Sequence, residues 1–123
     1  MSKVNLDTAA RLDIVCRKGD TFKLTVTFDK VMPNHEDNTI FYKMEVRPTD
    51  TSATISNDNF SIERQTNTKQ LQITCSAENM ALMSSGLFVY DLQVKDTTVA
   101  LTPTVETYLF GTFEVTEDIT VTT

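Results

Sequence analysis

Tryptophan is absent from this sequence, histidine occurs once, and the three glycines stand alone at Gly19, Gly86 and Gly111. Isolated glycines exclude a glycine-rich phosphate cradle, and nucleotide binding by that route with it. Any Ser-His-Asp or Cys-His relay would have to use His35, which sits in a polar loop far in sequence from a nucleophile on a strained turn. That loop also lacks the third and fourth partners that a zinc site requires, so no metal and no cofactor are expected. No run approaches the roughly 18 consecutive apolar residues of a membrane span, and Met1-Ser-Lys-Val-Asn-Leu lacks the apolar core of a secretory signal. The expectation is a chain made in a cytoplasm and not anchored. Basic residues are the minority, 11 Lys and Arg against 17 Asp and Glu, and the net charge of -6 repels phosphate backbones and anionic lipid. Nucleic acid and membrane are therefore not expected partners. The two cysteines, Cys16 and Cys75, read as buried reduced thiols, although both fall on the apolar phase of strand-like segments and the sequence leaves their pairing open.

What is present is alternation. A chain of 123 residues, 40% of them hydrophobic, suits one domain with one core. Its clearest stretch runs Ser85 to Lys95, where Phe88, Tyr90, Leu92 and Val94 alternate with Val89, Asp91, Gln93 and Lys95. A central strand is predicted there. Burying these four side chains is worth roughly 6 to 12 kcal/mol before ordering entropy is subtracted. The same period runs through Leu12, Ile14 and Cys16, then Phe22, Leu24, Val26 and Phe28, with Gly19 at the turn between them. Those two strands make either one hairpin or one edge strand that switches sheets. Ile40, Tyr42, Met44 and Val46 give a further strand that Pro48 ends, leaving Phe41 on the opposite phase. Phe60 with Ile62, and Leu71, Ile73 and Cys75, read as a hairpin around a polar turn.

Residues 29–38 and 49–59 are polar and read as surface loops. From Ser76 the pattern becomes helical and Gly86 stops it, which predicts a short helical turn around 76–84 plugging one end through Met80 with Met83 or Ala77 with Leu82. The last strand, about 106–115, has Leu109, Gly111, Phe113 and Val115 on one phase and Tyr108 and Phe110 on the other. Cover on both sides is expected, the second from a loop or a neighbouring subunit, with Gly111 marking a bulge or a close backbone approach. Residues 1–10 show no period and read as an amino-terminal arm, leaving 11–123 as one domain. About seven short strands without βαβ alternation predict an all-β, immunoglobulin-like antiparallel sandwich, with a closed barrel second.

With the strands placed, several motifs fall into a familiar order. They are Arg17-Lys18-Gly19-Asp20-Thr21-Phe22; Gly86-x-Phe88-x-Tyr90-Asp91-Leu92; and Tyr108-Leu109-Phe110-Gly111-x-Phe113-x-Val115-Thr116-x-Asp118-Ile119-Thr120. The arrangement resembles a widespread kind of small bacteriophage virion domain, including the amino-terminal domain of baseplate upper proteins and related tail and neck modules. The resemblance covers residues 11–120 in outline. Phe88 stands where that pattern often has Tyr, and Lys18 where it often has Arg. The resemblance implies a structural subunit of the tail, baseplate, neck or head decoration, located in the virion. Its partners would be other virion proteins and copies of itself, without a small-molecule substrate and without enzymatic activity.

Contacts in such an assembly are expected from Arg17 and Lys18 at the turn, from Phe41 and Tyr108 on the unpaired phase, and from the tail beginning at Ile119. The alternative is a carbohydrate- or receptor-binding sandwich, which would place exposed aromatics on loops; residues 29–38 and 49–59 carry none. A hydrolase would need a clustered polar constellation, and the acidic residues Asp13, Asp20, Asp29, Glu45, Asp91 and Glu114 lie mostly on exposed strand phases instead.

Overall fold

The computed structural model describes residues 9–36, 38–48, 59–98 and 101–117. Within them the strands are β1 (Ala10–Arg11), β2 (Ile14–Arg17), β3 (Phe22–Thr27), β4 (Ile40–Pro48), β5 (Ser61–Arg64), β6 (Gln70–Cys75), β7 (Gly86–Asp96) and β8 (Thr104–Thr116). A single helical turn, α1 (Ala77–Met80), precedes β7. One sheet runs β1-β8-β7-β4, with β2 continuing β1 along β8, and the other runs β3-β6-β5. The result is an immunoglobulin-like β-sandwich.

The period-two stretches become the elements the alternation calls for. Phe88, Tyr90, Leu92 and Val94 are all buried on β7, which lies between β8 and β4. Phe113 of β8 is fully buried and ties the two sheets together. Its ring centroid lies 5.7 Å from Phe22 and 6.0 Å from Phe60 of the opposite layer, and 6.2 Å from Tyr90 beside it. β4 is last in its sheet, with Met44 and Val46 fully buried on its inward phase and Phe41 and Lys43 exposed on the outward one.

The amino-terminal strands resolve the choice left by the sequence. β2 pairs with β8 in the first sheet and β3 with β6 in the second, so the chain switches sheets across the Arg17–Asp20 turn rather than forming a hairpin. The expected all-antiparallel pairing is corrected at this point, because β1 and β2 run parallel to β8. Both lie in one register along it, Ala10 opposite Leu109 and Ile14 opposite Phe113, interrupted at Leu12 and Asp13. Gly111 stands at that interruption. A β-carbon there would come within 2.4 Å of the Leu12 carbonyl oxygen, so glycine is what allows this backbone approach. The Tyr90 hydroxyl donates to the same oxygen at 2.5 Å, and the Asp13 carboxylate accepts the Thr112 N–H at 3.0 Å.

Two expectations are overturned. Residues 29–38 read as a polar surface loop, but Met32 within them is fully buried. Its N–H donates to the Thr68 carbonyl at 2.8 Å and its own carbonyl accepts from Arg64 at 3.1 Å, which pins the loop to the β5–β6 turn. Tyr108 was placed on an outer face awaiting a partner, but it is buried. The β7–β8 ladder shifts register between Leu92 and Gln93, opposite Leu109 and Thr107, so Tyr108 is the bulged residue. Both Tyr108 and Leu109 consequently face inward, Tyr108 against Phe28 at 5.7 Å.

At the end of the sandwich, Ser76 accepts the Asn79 N–H at 3.2 Å and caps α1. Met80 and Met83 are buried while Leu82 is 76% exposed, which selects the methionine pair as the plug. Ser76→Ala is expected to cost about 1 kcal/mol in a urea titration, the usual worth of an N-cap. The arm assigned to 1–10 falls on 1–8, outside the described residues, except that Ala10 already pairs in β1.

Candidate interaction surface

The turn Arg17-Lys18-Gly19-Asp20 forms as its sequence demands. The Asp20 N–H donates to the Arg17 carbonyl at 3.2 Å, Lys18 donates to Thr116 at 2.9 Å, and Gly19 takes φ 86°, a conformation that side chains disfavour. Arg17 is exposed and Lys18 half-buried at one end of the molecule. Phe41 lies toward the other end on the outward phase of β4, 53% exposed and opposite Lys95, which in turn faces Val105. The structure therefore separates the predicted contact residues. Tyr108 is interior, and Ile119 lies outside the described residues.

Sequence reading missed other exposed apolar side chains. Val15, Leu87 and Val89 are 68%, 53% and 39% exposed, and Val15 and Leu87 both lie opposite Glu114 on the outer face of the first sheet. Leu101 and Val105 are 95% and 60% exposed at the tip of the β7–β8 hairpin. The available signal was the second apolar phase at 87 and 89, beside a strand whose other phase fills the core. The outer face of the second sheet is different in kind, carrying Lys23, Thr25, Thr27, Glu63, Gln70 and Gln72, with Gln70 hydrogen-bonded to Thr27 at 3.0 Å.

Between the apolar ends of the first sheet lies a charged row. On β4, Glu45 accepts from Lys43 at 2.9 Å and also from Arg47; these bonds hold its carboxyl below the ordinary range. Asp91 of β7 stands opposite Glu45, and its Oδ1 is buried without a hydrogen-bond partner. Burial first, and then the Glu45 charge, raise the Asp91 pKa above 3.8. A raised carboxyl pKa contributes stability that is full below the unfolded value and is lost as pH climbs through the folded one. Asp91→Asn should thus gain about 1 kcal/mol at pH 7, discounted for partial exposure, and nothing near pH 3. Melting curves across that interval check it; an advantage that grows toward acid would contradict the assignment.

The remaining chemistry-bearing residues have structural partners. His35 Nδ1 accepts the Arg64 N–H at 3.1 Å. Cys16 and Cys75 are free thiols, and burial pushes Cys16 up to about 11, far from a reactive thiolate. Lys30 lies 4.6 Å from the Tyr108 ring centroid and 3.4 Å from Glu106. Among the described residues no three His, Cys, Asp or Glu side chains are grouped to hold a metal, and no helix is long and apolar enough to cross a membrane.

No family profile and no curated protein matches the chain. Among solved structures it is similar to the periplasmic chaperone SfaE, at 15% identity and a TM-score of 0.35. The match covers 92% of this chain and 59% of that one, so the chain spans less than two thirds of the chaperone.

Proposed function

We propose that this chain is a structural component of a bacteriophage virion, held by other virion proteins and by copies of itself, with no reaction of its own. The observation that carries the reading is the outer face of the first sheet. It exposes Val15, Leu87 and Val89 at one end and Phe41 and Val105 at the other, with a charged row between them. Apolar side chains at that exposure, rimmed by polar residues, suit a surface that becomes covered. The baseplate-like motifs supply the virion context, and the tail, baseplate, neck and head remain alternatives within it.

Mass spectrometry of purified particles tests the assignment directly. The chain should be a stoichiometric component, and Phe41→Asp or Leu87→Asp should reduce its incorporation without unfolding it. Absence from the particle sinks the reading. A specific glycan ligand on an array would favour a carbohydrate-binding module instead.

A further inference from the structure

Every strand edge raises the question of what pairs with it. Among the described residues β4 pairs only with β7, β1 and β2 only with β8, β5 only with β6 and β3 only with β6, and of these edges β3 has the ladder, charges and apolar row that define a partner. The direction of its free backbone groups follows from the ladder. Phe28 N–H donates to the Lys69 carbonyl at 2.8 Å, one step beyond the pair Thr27 and Gln70. Even-numbered residues of β3 therefore turn their backbone groups to β6, while Lys23, Thr25 and Thr27 turn theirs to the open side. All three are exposed. Beneath them Leu24, Val26 and Phe28 are only half-buried, an apolar row packed on the core from one side. Recesses of about 330 and 280 Å³ flank the two ends of this edge, one beside Phe28 and Asp29 and the other beside Phe22 and Leu24.

We propose that β3 is the docking edge for a second copy of this chain, the two strands pairing antiparallel about a two-fold axis through Val26. The self-complementarity of the strand together with the two residues that follow it, Phe28 and Asp29, selects both occupant and register. In that register Lys23 faces Asp29 of the second copy, Thr25 faces Thr27, Leu24 faces Phe28, and Val26 meets itself. Lys23 and Asp29 are both exposed, and neither has an ion-pair partner among the described residues. The two-fold repeats each contact, giving two ion pairs and a continuous apolar row. Registers centred on Thr25 or Thr27 bring neither charge to its opposite, and a one-residue slip sets the apolar row against the polar face. The joined edges make one six-stranded sheet, β5-β6-β3-β3-β6-β5, whose isologous contact closes without leaving either β3 free.

The inference deepens the assembly reading by naming one self-contact, and its test is independent of the particle. Sedimentation equilibrium of the intact chain should give a dimer. Lys23→Glu and Asp29→Lys, each exposed and expected to fold, should each weaken it at least about tenfold, because each sets like charges face to face twice. The double variant, with both charges exchanged, should restore it. A monomeric wild type, a dimer indifferent to Lys23→Glu, or a double variant that stays apart would overturn the proposal. So would a dimer lost on removing residues 1–8 but kept in Lys23→Glu, which would give the edge to the amino-terminal arm. Presence of the chain in particles alongside any of these outcomes leaves the virion reading standing and removes only the β3 contact.

Discussion

Replacing Gly111 with alanine is expected to lower stability by about 3 kcal/mol, and the unfolding midpoint by ~10 °C. The clash is backbone against backbone. The new methyl would sit 2.4 Å from the Leu12 carbonyl oxygen and 2.9 Å from its carbon, and neither can swing away as a side chain would. Relief requires β1 and β2 to move off β8. That movement takes with it the Leu12 N–H bond to Phe110 at 2.9 Å, the Tyr90 hydroxyl bond to Leu12, and the Thr112 bond to Asp13. Tyr90 stands opposite Gly111 in the ladder, and its hydroxyl would lose the Leu12 carbonyl as a partner. Urea titration measures the loss, and hydrogen exchange locates it at the amides of Leu12 and Thr112. An unchanged midpoint would mean that the edge strand does not pass so close.

How much of this was legible depends on whether the determining contact is local. Alternation along β7, β3 and β4 reads directly because one buried face imposes period two on one segment. The turn at 17–20 and the cap at Ser76 read for the same reason, as each depends on two to four neighbouring residues. Parallel pairing of β1 and β2 with β8 did not read, since the partner lies at the far end of the chain and period two is blind to strand direction. Tyr108 misled because a bulge inverts phase, and its signature is a register shift between two strands rather than a feature of either. Met32 was hidden by its polar neighbours, since what buries it is the bonding of its own backbone groups to Arg64 and Thr68. On the candidate surface, Phe41 was legible as an apolar residue off the core phase of its strand, while Arg17 and Lys18 were legible only as basic residues at a turn. Leu87 and Val89 were not, because apolar residues beside a core strand look like more core. β3 combines both kinds of information. Its inward phase was plain, whereas its open edge follows only from the sheet order.

Phe113→Ala is expected to have the largest effect of any single change, about 3 to 5 kcal/mol, which approaches the whole stability of many domains of this size. The position earns that magnitude through its neighbours. Phe113 is fully buried, and three aromatic rings from both layers lie within 5.7 to 6.2 Å of it, two of them edge-on beside it at 83° and 70°. Truncation removes the transfer energy of a ring, the edge-to-face terms, and the dispersion contacts of a wall that rigid strands on both sides cannot close. Phe22 and Phe60 stack edge to face on each other at 5.7 Å, so neither is free to tilt into the gap without breaking that contact. Phe113→Leu, which refills most of the volume, should lose roughly 1.5 kcal/mol instead, separating the cavity from the mere absence of an aromatic. Circular dichroism and urea midpoints on the pair decide it. A Phe113→Ala chain melting near the wild type would mean that the two sheets are held together elsewhere, with the row of rings incidental to their packing.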